Sequence, residues 1–123
     1  EMEVGVGIHG ERGRETVLLK SASEIVEQVA TIIDEDLHPK KGQEALLHIN
    51  GFGGTPLMEL YLLYDLAAAF WQKHGVNITR SLVGNFTTSL DMAGASITLT
   101  LLDDELTRLW DAPVHTAALR WGC

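Results

Sequence analysis

His9 is the residue whose surroundings most invite chemistry. Val4, Val6 and Ile8 alternate with Gly5, Gly7 and His9 itself. Period-two alternation predicts a strand, with the branched residues packing inward. The opposite face is then bare until His9 ends it. Glycine inside a strand often marks close approach by a ligand or another backbone. Imidazole titrates near neutral pH, so nucleophilic or acid–base work is open to it. The competing reading is a strand-end histidine that makes one hydrogen bond and does nothing else.

Two further segments carry candidate chemistry. Gly51-Phe52-Gly53-Gly54-Thr55-Pro56 leads from an apolar run into a helical pattern. Free N–H groups and the helix dipole at such a place favour an anion. The segment lacks the Lys-Ser/Thr end of a Walker loop and is not GxGxxG. A tight turn packing helix against sheet explains it equally well. Thr87-Thr88-Ser89-Leu90-Asp91 offers hydroxyls and one carboxylate to a polar ligand. Runs of this kind more often satisfy their own backbone as turns or caps.

Other combinations are weaker. His48, His74 and His115 share no ligand spacing, which argues against a metal site. A Ser-His-Asp triad has no GxSxG elbow to rest on. Asp34-Glu35-Asp36 and Asp103-Asp104-Glu105 read as solvated helix ends.

The elements that must position these residues follow from periodicity. Thr16–Lys20 is a second short strand candidate. Ser21 and Glu24 form a capping box. The helix it starts places Ile25, Val26, Val29, Ile32, Ile33 and Leu37 on one stripe and ends at His38-Pro39. Ala45–Asn50 reads as a buried strand. Thr55 suits an N-cap and Pro56 the first helical position. That second helix runs to about Lys73, is apolar nearly all round, and is expected to be largely buried; Gly75 suits its C-terminus. Ile78–Asn85 and Ser96–Leu102 are strand candidates, the latter with Ile97, Leu99 and Leu101 on one face. Asp103 caps a short helix that Pro113 stops. The order β, β, α, β, α, β, β, α predicts a two-layer α/β domain, a mixed β-sheet with helices mainly on one face. The strands flanking the second helix are expected to run parallel.

The totals bound the function. The chain has 123 residues, which suits a single domain over 1–123 with its own core. Nine basic residues against seventeen acidic ones give a net charge of −8, without a Lys/Arg cluster. Nucleic acid is therefore excluded as a partner, because phosphate contacts supply most of that affinity. The apolar run from Leu62 to Trp71 is too short to span a bilayer, so no membrane association is expected. Cys123 is the only cysteine, and the composition reads as cytoplasmic. The opening Glu1-Met2 points to a piece of something longer.

Several long strings resemble the dihydroxyacetone kinase family. GVGIHGERG (Gly5–Gly13) is similar to its GIHGEPG signature, with Arg12 in place of the usual proline. NGFGGTPLMELY (Asn50–Tyr61), TSLDMAG (Thr88–Gly94), LLDDE (Leu101–Glu105) and LWDAPVHTAALRWG (Leu109–Gly122) follow in the family's order. The segment between Gly13 and Asn50 is shorter than in some relatives. The resemblance implies the second domain of the dihydroxyacetone-binding subunit. It implies that His9 is the catalytic residue, adding covalently to the ketone of dihydroxyacetone as a hemiaminal. The reaction implied is phosphorylation to dihydroxyacetone phosphate, from ATP or a phosphoprotein. No cofactor is implied in this chain; nucleotide with magnesium belongs to a separate domain or subunit. The implied partners are dihydroxyacetone, a preceding domain of the same subunit, the nucleotide-binding component and, as an option, a second copy in a homodimer. That preceding domain carries a Gly-Gly-Gly-Ser-Gly-His loop with a Lys and an Asp, and none of it occurs here. A sensing relative that acts on a transcription regulator would use His9 in the same way. A plain interaction domain, whose glycine-rich loop only packs, is the reading independent of the resemblance.

Overall fold

The computed structural model describes residues 1–7 and 11–123, and its centre is a strand buried on both sides. Glu44–Gly51 (β3) pairs in parallel with Asn77–Gly84 (β4) and antiparallel with Ala95–Leu101 (β5), giving the order β4-β3-β5. The sheet is therefore mixed, as the periodicity predicted. A bulge between Ala45 and Leu46 sets Leu46 opposite Arg80 and leaves Thr79 as the extra residue. Ala45, Leu47 and Ile49 project to one side of β3 and enter the core.

Two helices cover that side. Ala22–Leu37 (α1) begins at the capping box, with the Ser21 hydroxyl accepting from the Glu24 N–H and the Glu24 carboxylate accepting from the Ser21 N–H. It ends where His38 turns left-handed at φ 51°. Leu57–Lys73 (α2) packs on β3 and β4, and α1 packs on α2. The Trp71 Nε1–H donates to Asp34 Oδ1 at 3.2 Å and ties the helices together. Asp34 is thus half-buried and used, unlike its exposed neighbours Glu35 and Asp36. Trp71, Leu47, Ile49, Leu60, Val26 and Val76 are the largest fully buried side chains. Each such side chain contributes about 1.5–3 kcal/mol on burial.

The remaining elements are small. Asp104–Asp111 (α3) is capped by Asp103, whose Oδ1 accepts from the Leu106 N–H. Its last residue, Asp111, forms a two-pronged ion pair with Arg80 on β4, both contacts 2.7 Å. That pair holds the Asp111 carboxyl below its ordinary value. Val114–His115 (β6) and Arg120–Trp121 (β7) form a terminal hairpin absent from the sequence expectation. Strands of two residues carry no periodicity to read.

Two expectations need correction. The first strand is only Met2–Val4 (β1), paired with Glu15–Val17 (β2). Gly5 has φ +80°, which takes the chain out of extended geometry, and Val6 is 50% exposed rather than packed inward. Helix α2 is not buried all round. Leu60, Ala67, Phe70 and Trp71 are buried, whereas Leu57, Met58, Tyr61 and Leu62 are exposed, because α1 meets the helix at its later turns. Among the described residues no helix is long and apolar enough to cross a membrane.

Candidate functional site

Strands β3 and β4 run parallel, and the loops at their carboxyl ends interlock. Asn50, 4% exposed, is the buried polar residue of the core region. Its Oδ1 accepts from the Phe86 and Thr87 N–H groups, both at 2.9 Å, and its Nδ2 donates to the Thr87 carbonyl at 2.8 Å. One side chain thus fixes the start of the 85–94 loop. The Thr55 hydroxyl fixes its end, donating to the Gly94 carbonyl at 2.9 Å and accepting from the Gly94 N–H at 3.0 Å. Between them the Phe52 N–H donates to Gly94, the Gly54 N–H to Met92, and the Ser89 N–H to Phe52.

This geometry favours the packing reading of the Gly51–Pro56 loop. The Phe52 and Gly54 N–H groups are already committed to carbonyls of the neighbouring loop, so they are not available to an anion. A Cβ on Gly54 would lie 2.5 Å from the Asp91 carbonyl oxygen, and one on Gly94 would lie 2.8 Å from the Phe52 ring. Gly53 sits at φ +109° with the Ser89 and Leu90 carbonyls above it. Gly53 and Gly54 are there for backbone against backbone. Thr55 does not cap α2 either: the cap position is Pro56, without a side-chain bond, because the Thr55 hydroxyl is taken by Gly94. In the hydroxyl-rich stretch, Ser89 Oγ accepts from the Met92 N–H at 3.2 Å, the turn-forming role. Thr87, Thr88 and Asp91 are exposed.

The GVGIHGERG segment lies elsewhere. Ile8, His9 and Gly10 are outside the described residues, so the placement of His9 is not part of this geometry. Among the described residues, β1 and β2 pair with each other and not with the three-stranded sheet. The Gly7 N–H donates to the Glu11 carbonyl at 3.3 Å. The face expected to be bare is filled: a Cβ on Gly7 would meet the Glu11 side chain, and one on Gly5 would lie 2.8 Å from the Arg14 Cβ. These glycines admit the returning limb of their own hairpin. Between that limb and α1 runs a groove of ≈ 570 Å³, lined by Arg14, Glu15, Glu24, Glu27, Gln28 and Thr31 among others. The Glu24 carboxyl there is held below its ordinary value by the Ser21 hydrogen bonds.

The other histidines are dispersed. His74 Nδ1 lies 2.7 Å from the Phe70 carbonyl and its ring stacks on Phe70. His115 is on β6. His48, on β3, meets Phe86 edge to face, and its Nε2 is buried without a hydrogen-bond partner. Burial pushes its imidazole below the ordinary value. Among the described residues no three His, Cys, Asp or Glu side chains gather as a metal site. The residue that sequence reasoning passed over is Asn50. An asparagine ending a run of buried β-formers is unusual for a strand, and that was the available signal.

Fold and loops define an α/β domain that carries its structured loops beyond the carboxyl ends of parallel strands, the usual ligand side of open α/β sheets. The chain belongs to the Dak1 domain family, whose model matches residues 1–118. It is 44% identical over 116 residues to the dihydroxyacetone-binding subunit of PTS-dependent dihydroxyacetone kinase 2 from Listeria innocua, covering 94% of this chain and 35% of that subunit. A solved dihydroxyacetone kinase operon co-activator, Dha-DhaQ, superimposes with TM-score 0.81 at 28% identity, over 89% of this chain and 34% of that one. The dihydroxyacetone kinase from C. freundii, solved with AMP-PNP and Mg2+, gives TM-score 0.60 at 27% identity, over 86% of this chain and 19% of that one. The chain thus spans about a third of the length of the Listeria subunit.

Proposed function

We propose that this chain is the ketone-capturing part of a dihydroxyacetone kinase and that His9 is the residue that takes the ketone. The reading is carried by the 44% identity to a dihydroxyacetone-binding subunit, together with the GVGIHGERG string at Gly5–Gly13. The unprotonated ring nitrogen of neutral His9 adds to the carbonyl carbon of dihydroxyacetone. The new C–N bond forms as the carbonyl π bond opens. The proton on the other ring nitrogen is released, and the alkoxide takes up one proton, leaving a neutral hemiaminal. A covalent bond to a carbonyl selects ketones over polyols such as glycerol. It also holds a small, floppy substrate for in-line phosphoryl transfer. Nucleotide with magnesium acts from a separate domain or subunit, and this chain supplies part of the ketone pocket.

Calorimetric titration of the full-length protein with dihydroxyacetone and with glycerol tests the selectivity. Binding of the ketone alone is expected; equal binding of both removes the carbonyl chemistry from the account. The likeness to the Dha-DhaQ co-activator supports a second reading, a sensor that binds dihydroxyacetone without phosphorylating it. Formation of dihydroxyacetone phosphate by the full-length protein with its nucleotide-binding component separates the two. Ketone binding without product formation is the sensor's result.

A further inference from the structure

We propose that the exposed apolar face formed by the 85–94 loop and the first half of α2 is a preorganised docking surface for a separate protein whose own apolar face is rimmed by lysines and arginines. In the function proposed above that protein is the nucleotide-binding component, so the identity of the partner rests on that reading.

Leu57, Met58, Tyr61 and Leu62 recur at the spacing that lines up one side of a helix, away from buried Leu60, Ala67, Phe70 and Trp71. Met58 is 83% exposed. The 85–94 loop sits against the turn that starts this helix, through Gly54 to Met92 and Thr55 to Gly94. It adds Met92 and Leu90, the latter 100% exposed. Single exposed apolar residues are ordinary on protein surfaces, but a group of this size at one end of a domain marks a contact site.

The loop is also held still. An exposed loop with no apolar interior of its own is normally mobile. Here Asn50 and Thr55 pin both ends of its backbone, and the Ser89 N–H is fixed to Phe52. A surface ordered in advance loses less conformational freedom when a partner lands on it.

Charge selects the occupant. Glu59, Asp65 and Asp91 are the charged residues of the two segments, and all three are exposed. No Lys or Arg occurs over residues 42–72 or 81–107. A two-fold contact between copies would set these carboxylates against each other on a chain of net charge −8. A partner with a basic rim gains where a second copy loses.

The test uses the full-length protein and the nucleotide-binding subunit from the same genome, with affinity read by calorimetry. Met58→Ser and Leu90→Ser are each expected to weaken binding about tenfold, the loss typical of truncating a central apolar contact. The KM for the subunit should rise in parallel, with kcat at saturation and the melting temperature unchanged. Asp91→Lys should flatten the salt dependence of binding. Failure of the wild type to bind the subunit, or unchanged affinity in both serine variants, overturns the proposal. So does a fall in melting temperature, which would place the surface inside the same polypeptide. A wild-type dimer in the ultracentrifuge that Leu90→Ser dissolves would make the occupant a second copy and overturn it too. Dihydroxyacetone binding is measured separately: its absence, with subunit binding still lost in the serine variants, sinks the ketone reading and leaves the docking surface standing.

Discussion

The two glycine-rich segments of this chain carry equally distinctive sequence strings and sit in different settings. Gly51–Pro56 is locked to the 85–94 loop by main-chain hydrogen bonds and by Asn50 and Thr55. The described residues flanking the Gly5–Gly13 string lie at β1 and β2, which among the described strands pair only with each other, with Val6, Leu18 and Leu19 exposed. A distinctive string therefore does not announce chemistry. In the first segment the glycines serve the approach of one backbone to another. In the second, Gly5 and Gly7 leave room for Arg14 and Glu11.

The sharpest way to break this contrast is to add a methyl group to each segment. In Gly54→Ala the new Cβ meets main-chain atoms of Asp91 and Met92, which cannot move without releasing the loop. A cost of about 3 kcal/mol is expected in a denaturant melt, the upper range for overpacking. In Gly7→Ala the new Cβ meets the Glu11 carboxylate and also the Glu11 Cβ at 2.7 Å, which moves only with its backbone; β1 and β2 pair with no other described strand and can give, so a smaller cost of about 1–2 kcal/mol is expected. Equal costs would mean that the two segments are built alike.

Asn50→Ala removes the clamp without adding bulk. Two N–H groups and a carbonyl lose their partner, and about 2 kcal/mol is expected for a buried group with several bonds. Asn50→Asp keeps both accepting bonds but sets a carboxylate oxygen against the Thr87 carbonyl and buries an unpaired charge, so it should cost at least as much as Asn50→Ala. Thr55→Ala should cost about 1 kcal/mol, and Thr55→Ser, which retains the hydroxyl, should recover most of it. Full loss in Thr55→Ser would point to the methyl group instead of the Gly94 bonds.

His48 gives the smallest effect. Its folded-state value lies below the ordinary 6.5 because of burial. The unfolded chain then binds the proton first as pH falls. Stability should be flat above that ordinary value and decline below it, down to the folded-state value. His48→Leu should remove this part of the decline; an unchanged slope would assign the decline to other groups.

Much of the fold was legible in the sequence because it rests on periodicity and caps. Ser21–Glu24, Asp103, the parallel β3–β4 pair and the Ile97-Leu99-Leu101 face are where spacing placed them. What escaped depends on partners distant in sequence. The Thr55 hydroxyl looks like a cap until Gly94 arrives beside it. The exposed stripe of α2 looks buried until the packing shows that Leu60, Ala67, Phe70 and Trp71 alone face the core fully. The Asn50 clamp joins residues 36 and 37 positions apart, and no local pattern reports that. For His9, residue type and resemblance supplied everything available.

Native mass spectrometry of the full-length protein with dihydroxyacetone probes the covalent capture of a ketone proposed for His9. A ring nitrogen that has added to the ketone keeps no second proton to lose with water, so the adduct stops at the hemiaminal and borohydride should not trap it. Capture should weaken as pH falls through the histidine range, because only the neutral ring has a free lone pair. An adduct is expected on the wild type, none on His9→Ala, and no change with borohydride. An adduct that survives in His9→Ala, or a label that borohydride locks onto a lysine, would contradict it.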